Sequence, residues 1–373
     1  MAKWATPRRA LHLLNGPCSA GARVGGLSHR ALAPRNTARC IAHGSADLDW
    51  DSLLFNYMPT NCHIEYSWKD GEWSEGKIMD SPMVEMHILS SVLHYGQALF
   101  EGLKVFSRAD GTVAMYQPFM GNVDRMARGC DRLGMPTVDA DMFNGAIERV
   151  VMENLEFIPP YGNNGALYVR PFIFGCGPKL GLGMAPEYKF IVTVNPVGDY
   201  YSGGLSALDG MVQTEYDRAA GKGIGGVKAG GNYAADVVPS AQAAAAGYPI
   251  ALYLDATEHK YVEEFSTSNF IAVDKEGNYV TPQSDSILKS VTNMSLRQIA
   301  TDLGMGVQER PVEYSEVGDF AEVAACGCVS SLALLHSSFC CLLCVPKMWS
   351  DTRAAAHVQH GCCADADQVS DAR

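Results

Sequence analysis

The sequence predicts an α+β fold, on three observations. Strand-like runs cluster instead of alternating one by one with helices, the two clearest amphipathic helices stand next to each other, and no internal repeat divides the chain. A length of 373 residues, with 47% hydrophobic and 19% charged residues, suffices for two hydrophobic cores of ordinary composition.

Residues 1–46 carry Lys3, Arg8, Arg9, Arg23, Arg30, Arg35 and Arg39, no acid and no continuous apolar run. That is the pattern of an organelle transit peptide, not of a secretory signal. The expected destination is an organelle interior, the chloroplast stroma ahead of the mitochondrial matrix. Such a compartment is reducing, so the twelve cysteines are read as thiols. The formal net charge of −12 argues against nucleic-acid and anionic-membrane binding, which need a basic surface. No stretch reaches the roughly 20 apolar residues of a membrane span.

Residues 47–197 read as a small α+β domain. "MVEMHILSSVLHYGQALFEGLKVF" (83–106) mixes short apolar strands with a turn, and "GTVAMYQP" (111–118) is one edge of a hairpin. "GNVDRMARGCDRLGMP" (121–136) has helical spacing of Val123, Met126, Cys130 and Leu133 before Gly134 and Pro136. A second helix follows, capped by Asp139 or Asp141 and stopped by Pro159-Pro160. "GALYVRPFIFG" (165–175) and "YKFIVTVNPVG" (188–198) are β-rich.

The Gly/Ser-rich stretch 198–210 reads as an interdomain loop and 211–328 as a large, incomplete domain. In it a helix opens at Asn232-Tyr233. Strands "IALYLDA", "HKYVEEF" and "NFIAVDKEGNYVTP" follow, the last with a Gly-Asn turn. "VTNMSLRQIATDLG" is a helix with Thr292 or Asn293 as its cap, and "GVQERPV" returns as a strand. Residues 329–373 contain five cysteines and show no strand or helix period, so they read as an atypical Cys-rich tail.

Lys228 stands among Gly225, Gly226, Gly230 and Gly231 in "GIGGVKAGGNYAAD". A phosphate loop needs Ser or Thr after Gly-Lys, whereas here Val227 precedes and Ala229 follows. Gly221, Gly223 and Gly226 satisfy G-x-G-x-x-G, but the stretch before them is polar and no βαβ unit is evident. A surface turn stays open. So does an amine nucleophile, because partial burial disfavours the ammonium form and frees the amine for a carbonyl.

Six segments together make the chain resemble the branched-chain amino acid aminotransferases, fold-type IV enzymes dependent on pyridoxal 5′-phosphate (PLP). They are "LHYGQALFEGLKVF" (93–106), "GNVDRM" (121–126), "LYVRPFIFGCG" (167–177), "KAGGNYAAD" (228–236), "VEEFSTSNFIAV" (262–273) and "SDSILKSVT" (284–292). They come in the family's order across about residues 50–328, and the leader suits the organellar enzymes of plants and algae. The fold implied is the two-domain one of D-amino acid aminotransferase.

By this resemblance Lys228 forms a Schiff base with PLP and carries a proton to and from the substrate Cα. Glu264 keeps the pyridine nitrogen protonated; Glu263, beside it, would face the other side of a strand. Arg125, Val291, Thr292 and Cys328 match the phosphate contacts, and Tyr233 the contact to the ring oxygen. Cys328 stands where the family has threonine, and a thiol is a weaker partner than a hydroxyl. Tyr95, Phe100, Tyr168, Arg170 and Tyr200 would wall a pocket that takes branched aliphatic side chains and the distal carboxylate of glutamate. The implied reaction is amino transfer from Leu, Ile or Val to 2-oxoglutarate, giving branched 2-oxo acids and L-glutamate, in a homodimer.

The sequence departs from the family at "SVTN" (290–293), where Gly-Val-Thr-Arg is usual, and after Gly327. The cysteines and histidines of the tail fit no structural zinc spacing, so no metal is expected. The tail reads instead as intron-derived or frame-shifted sequence, which would expose unpaired edges. Three alternatives stay open: another fold-type IV enzyme (a D-amino acid transaminase or an aminodeoxychorismate lyase), an inactive isoform that binds only PLP or a partner subunit, and a nicotinamide enzyme through the Gly-rich run.

Overall fold

The computed structural model describes residues 42–117, 120–198 and 207–327, and the backbone of 331–335. The leader up to residue 41, Tyr200, Cys328 and the cysteines and histidines from 336 onward lie outside the described residues.

The first half of the chain supplies strands β1 (His63–Lys69), β2 (Glu72–Trp73) and β3 (Lys77–Met79), helix α1 (Ser91–Tyr95), and strands β4 (Ala98–Phe100), β5 (Leu103–Ser107) and β6 (Val113–Met115). Helices α2 (Gly121–Leu133) and α3 (Ala140–Met152) follow, then the long strands β7 (Ala166–Gly175) and β8 (Glu187–Val197). All pairings are antiparallel, in the order β2-β1-β8-β7-β5-β6, with β3 on β1 and β4 on β7. Phe143, Ile147 and Val150 of α3 are buried with Ile64, Phe190 and Val192 of the sheet. Phe143 has no exposed surface, and truncating such a ring costs about 3–5 kcal/mol.

Helix α3 is capped by Asp139, whose carboxylate accepts from the Met142 amide at 2.8 Å. It stops well before the prolines expected to end it. The reason is Asn154, whose Nδ2 donates to the Val150 carbonyl at 2.7 Å and whose Oδ1 accepts from the Asn61 amide. That side chain satisfies the terminal turn and ties it to the segment leading into β1.

The second half supplies β9 (Ala207–Leu208), β10 (Gly210–Gln213), α4 (Gly230–Ala245), β11 (Ile250–Leu254), β12 (Val262–Phe265), β13 (Asn269–Val273) and β14 (Tyr279–Pro282). It continues through α5 (Val291–Asp302), β15 (Val307–Arg310), β16 (Glu322–Gly327) and β17 (Ser331–Leu335). The order is β10-β11-β12-β13-β16-β17-β9, with β14 bridging β13 and β15. Its core gathers Ile250, Leu252, Phe265, Phe270, Val280 and Val323.

Three expectations change here. Strand β9 and the start of β10 lie in the stretch read as a loop, at 198–210. β10 pairs parallel with β11 across α4, so a βαβ unit does surround the Gly-rich run. The glycines are nevertheless set apart from β10 by Thr214–Ala220, and α4 begins only at Gly230, after the lysine. Finally, Ser331–Leu335, read as structureless tail, pairs antiparallel with β16 from Val323↔Leu335 to Gly327↔Ser331, and parallel with β9.

Candidate active site

Lys228 sits where the two halves meet. Its carbonyl accepts from the Phe100 amide at 3.1 Å, and Ala229 bridges Leu99 on β4. Val227 and Ala229 are buried on either side, which anchors the backbone. The glycines before it are needed for close approach: a Cβ on Gly225 would lie 2.2 Å from the Ser286 carbonyl oxygen, and one on Gly226 2.7 Å from that of Asp285. The Gly-rich run is thereby pressed against the loop that leads into α5. Lys228 Nζ donates to the Tyr233 hydroxyl at 2.7 Å and lies 4.6 Å from the centre of the Phe100 ring.

Four of the expected residues, Phe100, Tyr233, Tyr168 and Arg170, form one linked cluster with that nitrogen. The rings of Phe100 and Tyr233 are 4.9 Å apart. The Arg170 guanidinium lies over both Phe100 and Tyr168, at 5.0 and 5.1 Å, and Nη2 donates to the Tyr168 hydroxyl at 3.1 Å. Arg170 Nε is buried and meets no acceptor among the described residues, an orphan donor that a ligand oxygen would satisfy. Tyr95 is placed differently: the residue is 44% exposed and its hydroxyl donates to the Leu180 carbonyl.

Glu264 on β12 is buried. It accepts from the Leu288 amide at 2.9 Å and from Asn269 Nδ2 at 3.1 Å, and Arg218 Nη1 lies 2.8 Å from its Oε1. Burial pushes its carboxyl up, while the charge of Arg218, the Leu288 amide and, more weakly, the charge of Lys228 pull it down. Glu263 faces away from Glu264, yet it is not solvent-facing: it is buried and accepts from Ser284 at 3.0 Å and from Ser286. Glu263 thus ties down the same loop that gives Glu264 its amide donor. Behind Glu264, Asn293 Nδ2 donates to Asn269 and Thr281, and Tyr279 donates to Asn293.

A cavity of about 290 Å³ opens beside this group, lined among others by Asn122, Arg125, Asn269, Ser290, Val291 and Thr292. The cap of α5 is Ser290, which accepts from the Asn293 amide at 3.3 Å, and neither Thr292 nor Asn293. Thr292 is therefore left to line the cavity at the helix N-terminus, a position that favours anions. Arg125 on α2 pairs with Glu101 through both oxygens, donates to the Lys289 carbonyl at 3.1 Å and also lines the cavity.

The structure thus brings Phe100, Tyr168, Arg170, Lys228 and Tyr233 into one cluster, sets Glu264 within electrostatic reach, and lines the adjoining cavity with Arg125, Val291 and Thr292. Four residues were not singled out by the sequence: Glu101, Asn122, Arg218 and Ser290. Glu101 and Asn122 do fall inside the diagnostic segments, beside Phe100 and Arg125. Arg218 has no such signal, because it lies in a polar loop without periodicity.

A family profile described as "Amino-transferase class IV" matches residues 98–336. The chain is 43% identical over 287 residues to a branched-chain-amino-acid aminotransferase of Haemophilus influenzae, covering 75% of this chain and 83% of that protein. It is 39% identical over 284 residues to the chloroplastic branched-chain-amino-acid aminotransferase 2 of Arabidopsis thaliana, covering 76% and 72%. In fold it is similar to the branched-chain aminotransferase of Thermoproteus uzoniensis solved with norvaline, with a TM-score of 0.61 at 22% identity over 73% of this chain and 86% of that one. The Escherichia coli branched-chain amino acid aminotransferase gives a TM-score of 0.57 at 24% identity over 74% and 85%.

Proposed function

The chain belongs to the class IV aminotransferases, and we propose that it moves the amino group of Leu, Ile or Val to 2-oxoglutarate, with PLP carried on Lys228. Relatives at this level of identity are branched-chain aminotransferases, and the family's cofactor is PLP. The observation that carries the reading is the setting of Lys228. One amine meets a tyrosine hydroxyl at 2.7 Å, its charge acts on a buried carboxylate, and the anion-favouring end of α5 lines the adjoining cavity.

The residues fit that cofactor. The cavity lined by Arg125 and by Val291 and Thr292 at the α5 N-terminus suits a phosphate. Glu264, with the Arg218 charge beside it, would hold a proton on a pyridine nitrogen. Tyr233 orients Nζ and can hydrogen-bond a ring oxygen. Bound PLP supplies an aldehyde that captures amines and a ring that accepts negative charge from the substrate Cα. Lys228 Nζ would be the amine that holds the cofactor and the base that moves the proton at the substrate Cα.

Phe100 and Tyr168 offer apolar surface to a branched side chain. The orphan donor of Arg170 suits the distal carboxylate of glutamate, so one pocket can serve both halves of the exchange. Exposed Leu180, whose carbonyl accepts from Tyr95, and exposed Leu93, on the same short helix as Tyr95, leave apolar surface beside it, and this supports a homodimer in which a second copy covers it. The acid-free leader and the chloroplastic relatives support an organellar location.

A panel of L- and D-amino acids with 2-oxoglutarate tests the reading. Turnover confined to Leu, Ile and Val supports it; turnover of D-alanine with none of L-leucine would contradict it.

A further inference from the structure

Arg218 occupies a place that the chemistry assigned so far does not use. Its side chain is 4% exposed, in the loop between β10 and the Gly-rich run, with Nη1 2.8 Å from Glu264 Oε1. Nη1 has no aligned acceptor among the described residues, so its link to Glu264 is ionic and not a directed hydrogen bond. The two carboxylates of Glu263 and Glu264 are both buried, and the Arg218 charge acts on each.

Among the described residues, the other groups facing Glu264 are few. Leu288 and Asn269 donate hydrogen bonds, the Lys228 charge acts weakly, and the buried Cys326 thiol lies within its field. Burial drives Glu264 toward its protonated form, and Arg218 is the strongest opposing influence. Two buried carboxylates share the one guanidinium, so neither is fully compensated by it.

We infer, building on the reading of Lys228 and Glu264 above, that Arg218 is a positioning residue that sets where a shared proton rests between Glu264 and the cofactor's ring nitrogen. A proton shared by a carboxylate and a pyridine goes to the weaker acid's conjugate base. A guanidinium beside the carboxylate makes it the poorer base, so the proton stays on nitrogen. Without Arg218, desolvated Glu264 keeps the proton and the ring stays neutral, although the same atoms remain in contact.

The test uses the full chain loaded with PLP carrying ¹⁵N in the ring, in the parent protein and in Arg218→Met and Arg218→Lys. The nitrogen resonance should sit at the pyridinium position in the parent and in Arg218→Lys, and move to the neutral pyridine position in Arg218→Met. In Arg218→Met, kcat should also fall by about 10²-fold with KM for the amino acid unchanged. A pyridinium resonance retained in folded Arg218→Met overturns the inference. If Arg218→Met does not fold by circular dichroism, Arg218→Lys decides: a pyridinium signal supports the charge argument and a neutral one overturns it. Borohydride reduction of the parent protein separates the two levels. A label on Lys228 with an unresponsive nitrogen removes this inference alone, whereas an unlabelled Lys228 removes the parent reading and this inference with it.

Discussion

Arg125 and Glu101 meet side by side, Nε to Oε1 at 2.8 Å and Nη2 to Oε2 at 2.6 Å, with side chains 6% and 1% exposed. A pair with this fork geometry is held on both partners, and Asn122 adds a third contact to the same carboxylate at 2.8 Å.

Removing Glu101 leaves the buried Arg125 charge without its carboxylate. Glu101→Ala should therefore cost about 3–5 kcal/mol of stability, and inorganic phosphate or PLP should restore part of it by facing Arg125. Urea unfolding with and without phosphate checks this; a deficit indifferent to phosphate would show that Arg125 does not serve the cavity.

Ser290 and Thr292 should separate cleanly, since one caps α5 and the other lines the cavity. Ser290→Ala should cost about 1 kcal/mol of stability. Thr292→Val should leave stability within about 0.5 kcal/mol and weaken PLP binding by about tenfold, the value of one hydrogen bond to a charged group. Thermal unfolding and PLP titration of the two variants measure both.

Lys228→Ala should lower kcat by at least about 10²–10⁴-fold. Tyr233→Phe removes only the hydroxyl 2.7 Å from Nζ and should lower it by about tenfold, the value of one hydrogen bond. Steady-state transamination of L-leucine ranks the two; an equal or larger loss in the tyrosine variant would contradict the assigned roles.

Acid should weaken the turn between β11 and β12. Partial burial pushes the Asp255 carboxyl up, but it is held below the usual carboxylate range by the amides of Tyr261, Glu258, Lys260 and Thr257. A depressed acid stabilises above its unfolded pKa, about 3.9, and that contribution fades as pH falls through the folded value. The stability gap between the parent and Asp255→Asn should thus be full at pH 6 and shrink toward pH 3. Urea midpoints across that range test the sign.

What the sequence revealed and what it hid divide along physical lines. Lys228, Glu264 and Arg125 could be named because each lies in a segment whose residues are dictated by chemistry, and α2 and β7 because apolar spacing repeats along them. Ser290 is the cap where the sequence suggests Thr292 or Asn293, since three polar residues within four positions can all accept backbone amides and only the backbone angles choose. The parallel β10–α4–β11 unit was missed because β10 has four residues and sits at a sheet edge, with too little apolar pattern to register. β17 was missed for a related reason: five residues gain their partners from β16 and from the distant β9, a pairing that local composition does not encode. Arg218 is the sharpest case, since its meaning lies wholly in a contact across 46 residues.

The account stands most directly on the nitrogen of Lys228. Incubation of the purified chain with PLP, reduction with borohydride and peptide mapping should place a phosphopyridoxyl group on the peptide containing Lys228 and not on the one containing Lys222. A chain that takes up no label, or takes it at another lysine, would contradict the assignment.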